Sequence, residues 1–290
     1  MADSITVAAP AKINIGLRVL PRRLDSYHNI ESIFTTVRLA DTLTVSLDAP
    51  EGQCIVECEG MDLPPENTFT KAYKAFCVLT GTECGVRVHV TKRIPSGGGL
   101  GGGSSDASSF IQSIDRLLDT RLASDDLHKI AGLVGSDVFF FTHALMEGNG
   151  APFAAYVEGR GEIISPVETR DDYSVVLVFP NVSVSTKDAY AWVDLYDGKR
   201  ASPIDMRKEF MKPVKEWQFS NDFTTPVSER FKEIVSAITA LKDCGADFAD
   251  MSGSGSTVFG IFAKQTGEDV SSLAKTACRF LAGNWRVALA

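Results

Sequence analysis

The chain has 290 residues, 44% of them hydrophobic and 23% charged, with 29 Lys and Arg against 37 Asp and Glu and a formal net charge of −8. This is an ordinary globular composition, long enough for one large domain or two moderate ones, and its acidic balance argues against a binder of duplex nucleic acid, which needs clustered Lys and Arg. No apolar run approaches the ~20 residues that span a bilayer, so no membrane partner is expected.

Met1-Ala2-Asp3-Ser4 has no basic n-region, and no targeting segment is expected. The six cysteines include no CxxC pair, and the four histidines form no HxxxH or HExxH pattern. They read as small apolar groups and scattered rings rather than as a disulfide framework or a zinc site.

In chain order, Ile13, Ile15, Leu17 and Val19 alternate with Lys12, Asn14, Gly16 and Arg18, the pattern of a half-buried strand with one polar face. Val37, Leu39, Leu43, Val45 and Leu47 repeat it, as do Val86, Val88 and Val90. Asn67 to Leu79 has helical spacing and stops near Gly81. Ser104 to Asp119 is a second helix with Ala107, Phe110, Ile111, Ile114, Leu117 and Leu118 on one stripe, and Ser124-Asp125-Asp126 is expected to cap a third over Leu127–Val134.

The second half differs. Tyr173–Phe179 is continuously apolar and predicts a central strand buried on both faces. Pro226 is expected to open an amphipathic helix with Val227, Phe231, Ile234, Val235, Ile238 and Leu241 inward, ending at Gly245. Short strands follow around Asp247–Met251 and Thr257–Phe262, then a helix over Glu268–Leu281 and a strand at Trp285–Leu289. The order β, α, β, β, α, β is that of a ferredoxin-like sandwich with an insertion after its first strand. The expectation is an α+β chain of two domains, 1–155 and 156–290, divided within Gly148–Gly161.

The stretch carrying most chemistry is Ile94-Pro-Ser-Gly-Gly-Gly-Leu-Gly-Gly-Gly-Ser-Ser-Asp-Ala107, in which six of the seven residues from Gly97 to Gly103 are glycine. Glycines permit positive φ and close backbone approach, and a helix start supplies free N–H groups, so strand–glycines–helix makes a phosphate cradle. Composition alone also fits a flexible linker. The flanking strand and Ser-rich helix start favour the cradle. A Walker A loop requires Gly-Lys-Ser/Thr and no Lys lies between Gly97 and Ala107. The Gly97-x-Gly99-x-x-Gly102 match to a dinucleotide fingerprint is weak, because any such glycine run gives it and the preceding strand carries Arg87, His89 and Thr91.

This segment resembles the second motif of the GHMP small-molecule kinases, a Pro-x-x-x-Gly-Leu-Gly-Ser-Ser-Ala loop over ATP phosphates. Pro10-Ala-Lys-Ile-Asn14 is similar to the first motif and Met251-Ser-Gly-Ser-Gly-Ser256 to the third. Asp25-Ser26-Tyr27-His28, Gly135-Ser-Asp-Val138 and Asn221-Asp222 resemble the branch that phosphorylates a hydroxyl of a cytidine-diphosphate-linked polyol on the non-mevalonate isoprenoid route. The resemblance runs from Pro10 to about Phe262. Ser26 stands where that branch usually has Gly, and Phe139 where it usually has Pro. Neither change removes a functional group.

The resemblance implies the GHMP two-domain fold, with an ATP-binding N-terminal domain and a ferredoxin-like C-terminal domain on the substrate side. It further implies a cytoplasmic kinase, monomer or homodimer, whose partner is a small-molecule substrate and not nucleic acid. ATP would lie over Pro95, Gly97, Gly98, Gly99, Leu100, Gly101, Gly102, Gly103, Ser104 and Ser105, with Lys12 and Asp137 as catalytic residues. Asn14, Tyr27, His28, Thr186, Tyr190, Ser252, Gly253, Ser254 and Gly255 would meet the acceptor, Tyr190 closing one side of the cytosine opposite Tyr27-His28. ATP implies Mg²⁺; no acidic pair stands out as its ligands, and a hydroxyl from Ser104 or Ser105 is left unassigned.

On residue type alone the readings stay open. Asp137 beside Gly135-Ser136 suits a turn or cap, Lys12 a solvated strand edge, Tyr27 a buried ring with its hydroxyl satisfied, and His28 a surface imidazole. Another GHMP kinase acting on mevalonate, homoserine or a sugar, or a non-catalytic nucleotide- or RNA-binding module, are the alternatives; Tyr27-His28 argues against the first and the charge of −8 against the second.

Overall fold

A computed structural model describes residues 4–148, 152–198, 200–263 and 270–290. The chain opens with two long antiparallel strands, β1 (Ser4–Arg22) and β2 (His28–Ser46), whose register shifts at Pro10/Ala11, Ile15/Leu17 and Val19/Arg22. Gly16 supplies φ +71 at the second shift, and a Cβ there would come within 2.5 Å of the Phe219 ring. Such bulges bend and twist a strand.

β3 (Cys54–Cys58) lies parallel to β4 (Val86–Thr91), and α1 (Thr68–Thr80) connects them. Asn67 and Thr70 form a reciprocal capping box at the start of α1, and Gly81 at φ +66 ends it. Then come α2 (Gly102–Leu118), α3 (Ser124–Val134), α4 (Ser136–Gly148), β5 (Ala154–Glu158) and β6 (Ile163–Pro166). The strands run β3-β4-β2-β5-β6, with β1 also paired to β2. Phe69, Phe76, Phe110, Ile114, Leu127 and Ile130 bury the helices against the sheet.

The second sheet holds β7 (Tyr173–Phe179), β8 (Phe248–Met251), β9 (Val258–Ala263) and β10 (Arg286–Leu289) in the antiparallel order β10-β7-β9-β8. The expected ferredoxin-like order and the central position of Tyr173–Phe179 are both found. α5 (Thr186–Leu195), α6 (Met206–Phe210) and α7 (Thr224–Ser228) form the insertion, and α8 (Lys232–Asp243) and α9 (Val270–Leu281) complete the sandwich. The two sheets share a core in which Ile13, Ile15 and Ile33 meet Leu177, Phe259 and Ile261.

Four expectations change. β1 is buried on both faces here rather than half-buried: its polar residues Lys12 and Asn14 are 3% and 1% exposed, because the glycine loop and the 251–255 turn lie over them. Helix α3 begins at Ser124 itself, with Ala123 as its cap residue and no side-chain cap. The helix expected from Pro226 is two, α7 and α8, and the break turns Val235 outward. β5 and β6 extend the first sheet, so the division drawn at 155/156 falls inside β5. The start expected at Glu268 for the last helix lies outside the described residues. Among these residues the six cysteines are free and pack as partly buried apolar groups, burial pushing the Cys54 thiol up to about 12.

Candidate active site

One cavity of about 920 Å³ runs along the glycine-rich loop, bounded by β1, the β1–β2 turn, the starts of α2 and α4, one face of α5 and the 253–254 turn. That volume is in the range of small-ligand sites.

The loop is a folded cradle. Gly97, Gly99 and Gly101 adopt φ +68, +74 and +70, a left-handed conformation that costs other residues energy. A Cβ on Gly99 would stand 2.1 Å from the Ser252 carbonyl oxygen, and one on Gly98 2.6 Å from Thr257 Oγ1. Thr257 N donates to Gly98 O at 3.2 Å and Lys12 N to Leu100 O at 3.0 Å, so the loop is clamped between β1 and the turn of the second sheet. Gly101 is the cap residue of α2, its carbonyl accepting from Ser104 N and Ser105 N. A flexible linker does none of this.

At the middle of the cavity the Lys12 ammonium donates to Asn14 Oδ1 at 2.6 Å, faces Asp137 Oδ2 at 3.6 Å and lies 4.6 Å from the centre of the Phe34 ring. Burial draws the Lys12 pKa below the ordinary lysine value, and the Asp137 charge opposes that fall. Asp137 stands in the first turn of α4, where the helix dipole favours a carboxylate, and its side chain is 32% exposed. Gly135 breaks the chain between α3 and α4, while Phe140 and Phe141 one turn on anchor α4 in the core.

Asn14 is a hub. Its Nδ2 donates to Ser32 Oγ at 3.2 Å, and its backbone N–H donates at 3.3 Å to Ser252 Oγ, which in turn donates to Gly99 O at 3.0 Å. Asn221 Nδ2 donates to Met251 O and Gly253 O at 2.7 and 2.8 Å, and Asp222 Oδ2 accepts from Val19 N at 2.8 Å. The third glycine motif and the Asn221-Asp222 pair thus hold β1 and the loop in register.

At one end of the cavity, His28 Nδ1 lies 2.8 Å from Leu20 O, a carbonyl that can only accept, so Nδ1 carries the proton there. His28 Nε2 lies 3.2 Å from Asp194 Oδ1. The His28 ring stacks on Tyr190, centroids 5.2 Å apart and planes at 18°, and Tyr190 meets Phe223 edge-on at 4.9 Å. Tyr190 therefore backs His28 directly, instead of leaving a base-sized slot beside it. Burial pushes the Tyr190 hydroxyl up to about 12. Tyr27 is 56% exposed, with the Arg160 guanidinium 4.2 Å from its ring centre. Ser26 takes φ +68, the left-handed conformation that favours glycine. Thr186 Oγ1 and Ser254 Oγ are 3.0 Å apart and join α5 to the 253–254 turn.

The other end is lined by Met61, Leu63, Thr68, Ile94 and Lys92. The Lys92 ammonium sits between Asp41 Oδ2 and Asp106 Oδ2, 2.7 Å from the latter. Asp41 Oδ1 also accepts from Arg93 N and Ile94 N at 2.5 and 2.9 Å. One ammonium cannot neutralise two buried carboxylates: burial, with Asp41 adding to it, pushes Asp106 up to about 7.

Of the expected site residues, Pro95, Gly97 to Ser104, Lys12, Asn14, Tyr27, His28, Asp137, Thr186, Tyr190, Gly253 and Ser254 line this cavity. Ser105, Ser252 and Gly255 do not. Ser105 is fully buried with an unpartnered Oγ, because the helix turns it toward the core, and Ser252 acts behind the wall by binding Asn14 and Gly99. Sequence reasoning missed Asp194, Arg160, Lys92 and the Met61–Leu63 wall. The spacing 186, 190, 194 on one helical face could have found Asp194; no local signal marks the others.

Residues 67–144 match the family described as GHMP kinases N terminal domain, and residues 206–281 that described as GHMP kinases C terminal. A 4-diphosphocytidyl-2-C-methyl-D-erythritol kinase of Treponema pallidum (strain Nichols) is 39% identical over 272 residues, covering 90% of each chain. A crystal structure of 4-(cytidine 5'-diphospho)-2C-methyl-D-erythritol kinase superposes with a TM-score of 0.76 at 28% identity over 98% of both chains. Homoserine kinase from Cytophaga hutchinsonii shares the fold at a TM-score of 0.65 and 17% identity, over 100% of this chain and 94% of that one.

Proposed function

The chain belongs to the GHMP kinases and, within them, to the 4-diphosphocytidyl-2-C-methyl-D-erythritol kinases, and from that premise we propose how its residues carry out the reaction. The activity is ATP-dependent phosphorylation of a hydroxyl of 4-diphosphocytidyl-2-C-methyl-D-erythritol, giving the 2-phosphate, in isoprenoid precursor synthesis. Among the described residues no helix is long and apolar enough to cross a membrane.

The acceptor oxygen attacks the γ-phosphorus as the bond to the ADP oxygen breaks, so the protein's task is positioning and charge stabilisation. Asp137 takes the hydroxyl proton or holds the hydroxyl in line. Lys12, anchored by Asn14, fixes Asp137 and faces the charge that builds on the transferring group. The free N–H groups from Gly97 to Gly103 cradle the phosphates. Met61, Leu63 and Ile94 suit the adenine at that end of the cavity, and His28, Tyr27, Thr186 and Tyr190 the cytidine end, so the acceptor would be held by both domains.

Mg²⁺ fits the donors present. Among the described residues no three acidic, His or Cys side chains gather to hold a metal, but Ser104 and Asp137 offer partly exposed oxygens in the cavity, a sparse set suited to an ion carried mainly by phosphate and water. When bound, it would neutralise charge on the β- and γ-phosphates.

The observation that carries the reading is the Lys12–Asp137 pair at 3.6 Å, set where the glycine cradle ends and the His28–Tyr190 stack begins. The test is ADP release with a panel of acceptors: the cytidine diphosphate polyol should drive it, and mevalonate, homoserine and sugars should not. Absence of ADP release with the cytidine acceptor refutes the reading.

A further inference from the structure

Five cationic side chains line the cavity, and they divide sharply by their partners. Lys12 faces Asp137, and Lys92 is held by Asp41 and Asp106. Arg22, Arg160 and Lys187 make no ion pair within 4 Å among the described residues. These three lie toward the end that holds Tyr27, His28 and Tyr190. In a chain of net charge −8, unpaired cations gathered there point to an anionic ligand.

Arg160 is the one whose placement is enforced. It sits in the turn between β5 and β6, which is pinned on three sides. Ile30 N donates to Gly159 O at 2.7 Å, Gly161 N to Glu158 O at 3.2 Å, and Arg160 N to Glu162 Oε2 at 2.5 Å. Gly159 and Gly161 adopt φ +70 and +121, and a Cβ on Gly161 would stand 3.1 Å from Ser136 Cβ. The turn thus leans on the residue preceding Asp137, while the Arg160 side chain reaches the Tyr27 ring. Asp25, whose carboxyl is held below its ordinary range chiefly by the Tyr27 N–H, also feels the Arg160 charge without pairing to it.

An acceptor whose base lies at Tyr27 and His28 and whose hydroxyl lies at Asp137 must run its diphosphate between those points, past this turn. We propose that Arg160 is a specificity-determining residue that pairs with the diphosphate of the acceptor while its guanidinium steadies the Tyr27 ring. This rests on the cytidine-diphosphate reading above. A guanidinium suits both tasks, since it binds phosphate oxygens in bidentate fashion and lies flat over aromatic faces.

The experiment compares wild type, Arg160→Gln and Arg160→Lys by calorimetry with CDP and with cytidine, and by steady-state kinetics. Arg160→Gln should weaken CDP about ten- to a hundredfold, the range for a lost hydrogen bond to a charged group, and cytidine by about threefold or less. The KM for the acceptor should rise and the KM for ATP should not move. Arg160→Lys should recover part of the CDP affinity and none of the bidentate geometry. Arg160 is exposed, so thermal melting should be unchanged in both variants. Equal losses for CDP and cytidine would reduce Arg160 to a prop for Tyr27, and unchanged CDP binding would remove it altogether; either overturns the proposal. If the wild type itself does not bind CDP, the cytidine reading fails first and this proposal falls with it.

Discussion

The two ends of the cavity are built in opposite ways. Around the phosphate loop the walls are backbone: glycines at φ near +70, carbonyls clamped by β1 and Thr257, and cations already matched by Asp137, Asp41 and Asp106. At the nucleobase end the walls are side chains, with Tyr27 open to solvent and Arg160 and Lys187 unmatched. A backbone cradle recognises any triphosphate and fails when a Cβ intrudes. A side-chain wall decides which acceptor enters, and can be altered residue by residue without unfolding the protein.

The sharpest break comes at the junction of the two. Asp137→Asn keeps the shape and removes the basic lone pairs, so kcat should fall about 10²–10⁴-fold while ATP and acceptor affinities stay within a few-fold. Melting run alongside separates lost chemistry from lost structure, and a folded variant with wild-type kcat would take Asp137 out of the mechanism. On the backbone side, Gly101→Val forces a β-branched residue into φ +70 with its Cβ 2.8 Å from the Phe141 ring and 3.3 Å from Lys12 Cε. At about 1–2 kcal/mol for the left-handed conformation alone, and more for the clash, ATP binding should weaken about tenfold or more in a protein that still folds. Unchanged calorimetric affinity would mean that the loop does not hold the nucleotide.

On the side-chain side, His28→Ala should raise the acceptor KM about tenfold and leave the ATP KM alone. Equal effects on both substrates would make His28 a structural ring that merely supports Tyr190. The remaining effect is on stability. Folding raises the Asp106 pKa from about 3.9 in an unfolded chain to about 7, so the folded state binds that proton more tightly. Its contribution is therefore complete below about pH 4 and is lost as pH rises through about 7. The Lys92 pKa is raised as well, which keeps it charged across this window. Asp106→Asn should flatten the fall in Tm between pH 4 and 7; an unchanged slope would show that another group carries it.

The chain by itself determined the parts whose cause is local. Six glycines between a strand and a Ser-rich helix start specify a cradle, because only glycine reaches those φ values cheaply. Asn67 with Thr70 and Gly81 mark α1, and the apolar Tyr173–Phe179 run marks a strand covered on both faces. Asp137 was legible as a residue where the chain enters the core, but its neighbours Val138–Phe141 belong to a helix that Gly135 starts afresh.

Tertiary structure decided what depends on distant segments meeting. Lys12 and Asn14 read as the polar face of a half-buried strand and are buried because residues 97–101 and 251–255 close over them. Lys92 gains its partners from residues 51 positions before and 14 after it, and Arg160 reaches Tyr27 from a turn that alternation and helical spacing do not mark. Burial and charge pairing are set by contacts across the fold, and no short window of the sequence contains both Lys12 and Asp137, both Lys92 and Asp41, or both Arg160 and Tyr27.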